Sequence, residues 1–312
     1  MLTREEIVGL SPATPQDVHF YSAGHKIRAF WYPPANGDQN APAIVCGHGF
    51  SGMIGLQMVG VPEALSLAGY GVLTYYSRGI GESEGPRGRV IPREQVEDMR
   101  NAVTYVQSRD DVDPDRIGVF GSAWGCSIAV AAAAEDERIK ALVGTVGIGD
   151  CERWLRSERP RWEWKAFLDR IAEDRQRRVL TGKSEVVNPN EIHIPDRAAS
   201  EARDRQWREF CEKSGYDGYP LETAEAVIEF KPEEMVARIA PRAVMFVHMS
   251  EDMTVPPEES KSLYEKAGEP KKLLIPKGPH YDIFWFRNPE VFADFMVDAI
   301  DWLDTHVKGI ES

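Results

Sequence analysis

Three short segments carry side chains able to move a proton or an acyl group. Gly121-Ser-Ala-Trp-Gly125 lies between an apolar run, Ile117 to Phe120, and an Ala-rich stretch that ends near Ala134. Glycines two residues before and two after position 123 permit a sharp strand-to-helix turn that lifts one residue to its tip. A turn of this kind presents a nucleophile, but position 123 is alanine, whose methyl group cannot attack a carbonyl. Asp252 lies in Ser250-Glu-Asp-Met-Thr-Val-Pro-Pro257, and His280 closes Pro276-Lys-Gly-Pro-His280; each segment follows a short apolar run. The order tip, acid, histidine suits a base at His280 whose imidazole Asp252 orients and stabilises when charged. The chemistry is acyl transfer. Its oxyanion would be held by the backbone N–H groups of Trp124, just after the tip, and Phe50, in His48-Gly-Phe-Ser-Gly52 after the first buried strand.

The missing nucleophile has no good substitute nearby. Ser122 would shift the turn by one residue and put Trp124 where a small residue is needed, while Cys126 and Ser127 fall inside the following helix. Ala123 therefore marks either a natural pseudoenzyme or a serine replaced by design. The complete Asp252 and His280 segments favour replacement, since drift after natural loss erodes such residues. Asp150, beyond the strand at 140–146, is the weaker alternative acid, and His48 is read as structural. Arg78 and Glu82 are expected to brace their loop as an ion pair.

Alternating apolar strands and amphipathic helices must position these groups. Val18 to Tyr21 and Lys26 to Tyr32 read as a hairpin turned at Ala23-Gly24. Buried strands follow at 43–46, 71–76, 117–120, 140–146, 243–247 and 272–275. Helices are expected near 59–68, 92–108, 124–134, 257–267 and 289–307, with Val96, Met99, Val103 and Val106 forming one apolar face. Asp113-Pro-Asp-Arg116 reads as a turn. The pattern is an α/β fold with a mostly parallel, doubly wound sheet. It breaks between about 150 and 232, which lacks a buried-strand run and is rich in charge and aromatics. Trp164, Phe167, Leu168 and Ile171 have helical spacing there, and a second helical stretch is expected near 198–213. The division is a core of residues 1–149 and 233–312 with a helical cap at 150–232.

These motifs together resemble the α/β-hydrolases of the dienelactone-hydrolase and prolyl-oligopeptidase-like branch. HGFSG at 48–52, YYSRGIGESEG at 75–85, VDPDRIGVFGSAWG at 112–125, the acidic loop ending VPP, and the GxHYD-like segment at 278–282 carry the likeness, which spans Val18 to Val307. The resemblance implies a serine hydrolase that cleaves a carboxylic ester, lactone or thioester through an acyl-enzyme. Ala123 stands where that branch has serine or cysteine. Amide, peptide or C–C bond hydrolysis and a ligand-binding pseudoenzyme are the alternatives. Trp154, Trp164 and Tyr281 are candidate contacts to an apolar or aromatic small-molecule substrate.

Composition narrows the partners. The 312 residues are 42% hydrophobic and 28% charged, as expected of a globular enzyme, and the formal net charge of -13 argues against nucleic acid and anionic membranes. No secretory signal or spanning segment is read, so a cytoplasmic location is expected, with a homo-oligomer left open. The four cysteines are scattered without metal spacing. No metal or organic cofactor is expected.

Overall fold

β1 (Gln16–Ser22) and β2 (His25–Tyr32) form the expected antiparallel hairpin, with Ser22 opposite His25. Its two-residue loop places both Ala23 (φ 48°) and Gly24 (φ 80°) at positive φ, the backbone that matches the twist of a tight hairpin. The computed structural model describes residues 2–11, 13–53, 58–194, 209–210, 212–215 and 218–310.

β3 (Ala41–Gly47), β4 (Gly71–Tyr75), β5 (Val112–Ser122), β6 (Ile139–Thr145), β9 (Ala243–Val247) and β10 (Lys271–Leu274) complete one eight-stranded sheet in the order β1-β2-β4-β3-β5-β6-β9-β10. All pairings from β4 to β10 are parallel, whereas β1–β2 and β2–β4 are antiparallel. Strand alternation splits the core into two layers. Ala43 and Val45 pack on one face of the sheet, and Ile44 and Cys46 on the other.

Helices cover both faces. α1 (Arg4–Val8) forms from the leader, where only a leader was expected; it is capped by Thr3 and packs on α10 (Pro289–Leu303). α2 (Val61–Leu67) lies with them. α3 (Pro92–Gln107) buries the expected Val96, Met99, Val103 and Val106, and α4 (Trp124–Glu135) is buried almost all round, as its alanines permit. α9 (Glu258–Lys266) follows the Asp252 loop.

The segment 113–116 is less of a turn than expected. Val112 already pairs with Ala41, and regular pairing resumes at Ile117 opposite Ala43. Between them Asp113 accepts from the Asp115 amide at 3.0 Å and from Arg116 Nε at 2.7 Å, so the excursion is an Asx-turned bulge inside β5.

Between β6 and β9 no strand of the described residues joins the main sheet. α5 (Cys151–Ser157), α6 (Arg161–Thr181), α7 (Pro189–Ile192) and α8 (Glu222–Ile228) occupy this stretch, with a small pair formed by β7 (Val186–Val187) and β8 (Tyr219–Pro220). Two-residue strands carry no readable alternation, so that pair was not foreseen. The helix expected near 198–213 lies largely outside the described residues.

The root of this insertion is polar. Arg153 donates to Glu259 (2.7 and 2.8 Å) and to Glu233 (2.8 Å), while Glu259 Oε2 also accepts the Gly149 and Asp150 amides at 3.0 and 2.9 Å. Among the described residues no helix is long and apolar enough to cross a membrane.

Candidate active site

The turn at 121–125 owes its shape to backbone contact. A Cβ on Gly121 would lie 2.4 Å from the Gly125 carbonyl, and one on Gly125 would lie 2.2 Å from the Gly47 carbonyl. Neither position tolerates a side chain. Ala123 takes φ 50°, ψ -116°, the mirror image of extended backbone and costly for any residue with a Cβ. Its amide donates to Thr145 O at 2.8 Å and its carbonyl accepts from Cys126 N at 2.9 Å, which clamps the tip between β6 and α4. Trp124 opens α4, so its N–H is one of the first-turn amides without an acceptor inside the helix. Phe50 lies beside it, with ring centroids 5.5 Å apart, and its carbonyl accepts from Tyr219 Oη at 3.0 Å.

The substitutes for a nucleophile are all turned away or inert. Ser122 is buried against Thr145, whose hydroxyl donates to it at 3.2 Å, and Ser127 donates to Ile148 O at 2.8 Å. Burial pushes the Cys126 thiol up to about 12. A thiol so disfavoured as thiolate is no nucleophile.

Asp252 and His280 come together across 28 residues of sequence. His280 Nδ1 donates to Asp252 Oδ2 at 2.6 Å, which leaves Nε2 as the acceptor nitrogen. The other carboxylate oxygen accepts the Thr254 and Val255 amides, both at 2.8 Å. Burial alone would raise the Asp252 pKa, but His280 and His248 outweigh it and hold the carboxyl well below the usual range.

His248, which was not considered from sequence, is fully buried and extends this chain of bonds. Its Nε2 donates to Val255 O at 2.8 Å and lies 3.4 Å from Asp252, and its Nδ1 accepts from Ser260 Oγ at 2.6 Å. Its signal was its place at the end of β9, four residues before the acid.

Ala123 and His280 line one cavity of about 40 Å³. Phe50, Trp124, Trp154 and Tyr281 supply aromatic walls, and Ser51, His193 and Thr254 add polar groups. Of the aromatic candidates, Trp154 and Tyr281 line this cavity. Trp164 does not. It is directed into the insertion's own packing, 5.9 Å from the Phe167 ring, because residues at helical spacing share the face turned to their own core.

The other charged candidates have structural partners. Asp150 caps α5 by accepting from Arg153 N at 3.0 Å, and it lies 3.3 Å from Lys231. His48 accepts from Ser77 N at 3.2 Å and donates to Gly49 O at 2.8 Å; burial holds it neutral. The expected Arg78–Glu82 pair does not form. Arg78 instead binds buried Asp98 on α3, at 2.8 Å through Nε and 2.9 Å through its amide, and Glu82 pairs with Arg28.

A mostly parallel eight-stranded sheet with a sharp strand-to-helix turn at its centre is the architecture of an α/β hydrolase. The chain belongs to the X-Pro dipeptidyl-peptidase (S15) family, whose model matches residues 24–282. It is 28% identical over 250 residues to an Escherichia coli protein described as an uncharacterized 31.7 kDa protein in the traX-finO intergenic region, covering 80% of this chain and 86% of that one. It is 34% identical over 132 residues to the thiohydrolase AneE of Aspergillus aculeatus, covering 42% of this chain and 41% of that one. Among solved structures it matches the α/β hydrolase GrgF from Penicillium sp. sh18 with a TM-score of 0.75 at 23% identity, covering 94% of this chain and 99% of that one.

Proposed function

We propose that this site is built to hydrolyse a carboxylic ester, lactone or thioester through an acyl-enzyme, and that with Ala123 it binds such compounds without turning them over. The observation that carries the reading is the 2.6 Å Asp252–His280 pair on the same cavity as a tip held at φ 50°, ψ -116°. A serine at 123 would attack the carbonyl carbon while His280 Nε2 takes its proton. The amides of Phe50 and Trp124 would receive the oxyanion, and protonated His280 would return the proton to the departing oxygen or sulfur. Water, deprotonated in turn by His280, would release the acid. Removing the nucleophile from such a unit lowers kcat by a factor on the order of 10⁶.

The thiohydrolase name of one relative supports a thioester among the candidates. The family's name raises peptide hydrolysis as the second reading. It fits less well, because releasing an N-terminal dipeptide needs an anionic partner for the substrate ammonium. None of the described residues around the cavity is a carboxylate. We read the insertion at 150–232 as a cap, the location as cytoplasmic, and Ala123 as replacing a working serine.

Ala123→Ser should hydrolyse members of a p-nitrophenyl ester panel with an initial burst and an acyl adduct visible by mass spectrometry. The Ala123 chain should do neither. Inactivity of both, with tight ligand binding by both, would instead identify a binding protein.

A further inference from the structure

His248 ties together the two ends of the loop that carries Asp252. It directly follows β9, is fully buried, and donates its amide to Leu274 O of β10 at 2.9 Å. Ser260, also fully buried, lies on α9 beyond that loop. Its hydroxyl is 2.6 Å from His248 Nδ1 against 3.3 Å from Gly147 O, so it donates to the ring. The Val255 carbonyl, 2.8 Å from Nε2, can only accept, which places the ring proton on Nε2.

These bonds run in one direction, toward the acid and the base. Ser260 donates to His248 and His248 donates to Val255 O. The Val255 amide donates to Asp252 Oδ1 at 2.8 Å, and His280 donates to Oδ2 at 2.6 Å. The Nε2–H edge of His248 also lies 3.4 Å from Oδ2. A proton there attracts the carboxylate, whereas the other tautomer would turn a lone pair on both Val255 O and Asp252. An apolar side chain would fill the same buried space. What the imidazole adds is a bond with direction, aimed at the stretch whose amides hold the acid.

We infer that His248 is a positioning residue for acyl transfer. By holding Val255 through its carbonyl it keeps the Val255 amide on Oδ1, and so keeps Oδ2 turned to His280. The base then owes its orientation to a second, fully buried imidazole. The effect on turnover rests on the acyl-enzyme reading above.

Two measurements test it. In the Ala123 chain, the His280 Nδ1 proton shared with Asp252 should give a far-downfield NMR resonance protected from exchange. Its absence there contradicts the bond on which the inference stands. His248→Phe should move it upfield or erase it, and so should His248→Asn, whose shorter amide reaches Ser260 but not Val255. His248→Gln, whose amide can donate to Val255 O, should retain it. A resonance unchanged in a folded His248→Phe protein, or the same in the Asn and Gln variants, overturns the inference. In the Ala123→Ser protein, His248→Phe and His248→Asn should lower kcat about ten- to hundredfold with KM nearly unchanged, and His248→Gln should recover most of that. A loss that appears in KM instead, or that Gln fails to recover, marks a merely structural role. An Ala123→Ser protein inactive on every ester refutes the acyl-enzyme reading, and the resonance alone then decides the role of His248.

Discussion

Trp154 donates its indole N–H to the Thr254 carbonyl at 3.1 Å, two residues beyond Asp252 in the loop that positions His280. The amide of Thr254 in turn donates to Asp252. One aromatic side chain of the insertion thereby holds the acid loop of the core and walls the cavity. Trp154→Phe keeps the wall but removes this hydrogen bond to a buried carbonyl. It should cost about 1 kcal/mol in urea unfolding. In the Ala123→Ser background it should also lower kcat, because the Asp252 loop loses a tether.

The tip itself stores strain. Glycine adopts the mirror image of extended backbone freely, so Ala123→Gly should stabilise the protein by about 1 kcal/mol. Thermal or urea unfolding of the two chains decides this, and a loss of stability would contradict the strained backbone described for Ala123.

Gly125→Ala should have the opposite effect. Its Cβ would meet Gly47 O at 2.2 Å and His48 O at 2.7 Å, both backbone atoms with no rotamer to change. A loss of at least about 3 kcal/mol is expected, seen as a collapse in soluble yield or a large drop in Tm.

Arg78→Met leaves the Asp98 carboxylate buried without its counter-charge. The expected cost is roughly 3–5 kcal/mol, and Asp98→Leu added to it should restore most of that. A single variant as stable as the parent would show that the pair is not held as described.

Acid should loosen the root of the insertion. Burial would raise the Glu233 pKa, but Arg153, Lys266 and Ser262 overcome it and hold the group at about 2, below its ordinary 4.5. A carboxyl depressed on folding stabilises the protein fully above its unfolded value, and that contribution disappears as pH falls from 4.5 toward 2. Asp252 acts in the same direction. Urea unfolding at pH 6 and pH 3 should therefore show a decline that Glu233→Gln makes shallower.

Local pattern was enough for the body of the fold and for the elements that carry Ala123, Asp252 and His280. Apolar alternation marks strands directly, and glycine spacing marks a turn that steric contact requires. Partnerships set by tertiary approach were not legible. Arg78 stands four residues from Glu82, yet α3 brings Asp98 to it from 20 residues away. His193 and Glu158 lie 35 residues apart, each outside the periodic run at 164–171, and only the folded chain joins them. Trp164 misled for the converse reason, since helical spacing reports which residues share a face but not what that face meets.

The close approach of Gly125 to Gly47 also bears on how such a site can diversify. It ties the loop carrying Phe50 to the helix carrying Trp124 through main-chain atoms. The spacing of those two amides is accordingly insensitive to which side chains surround them. Pocket residues such as Trp154, His193 and Tyr281 can then be exchanged over evolutionary time, altering substrate choice while the frame that holds the carbonyl stays in register.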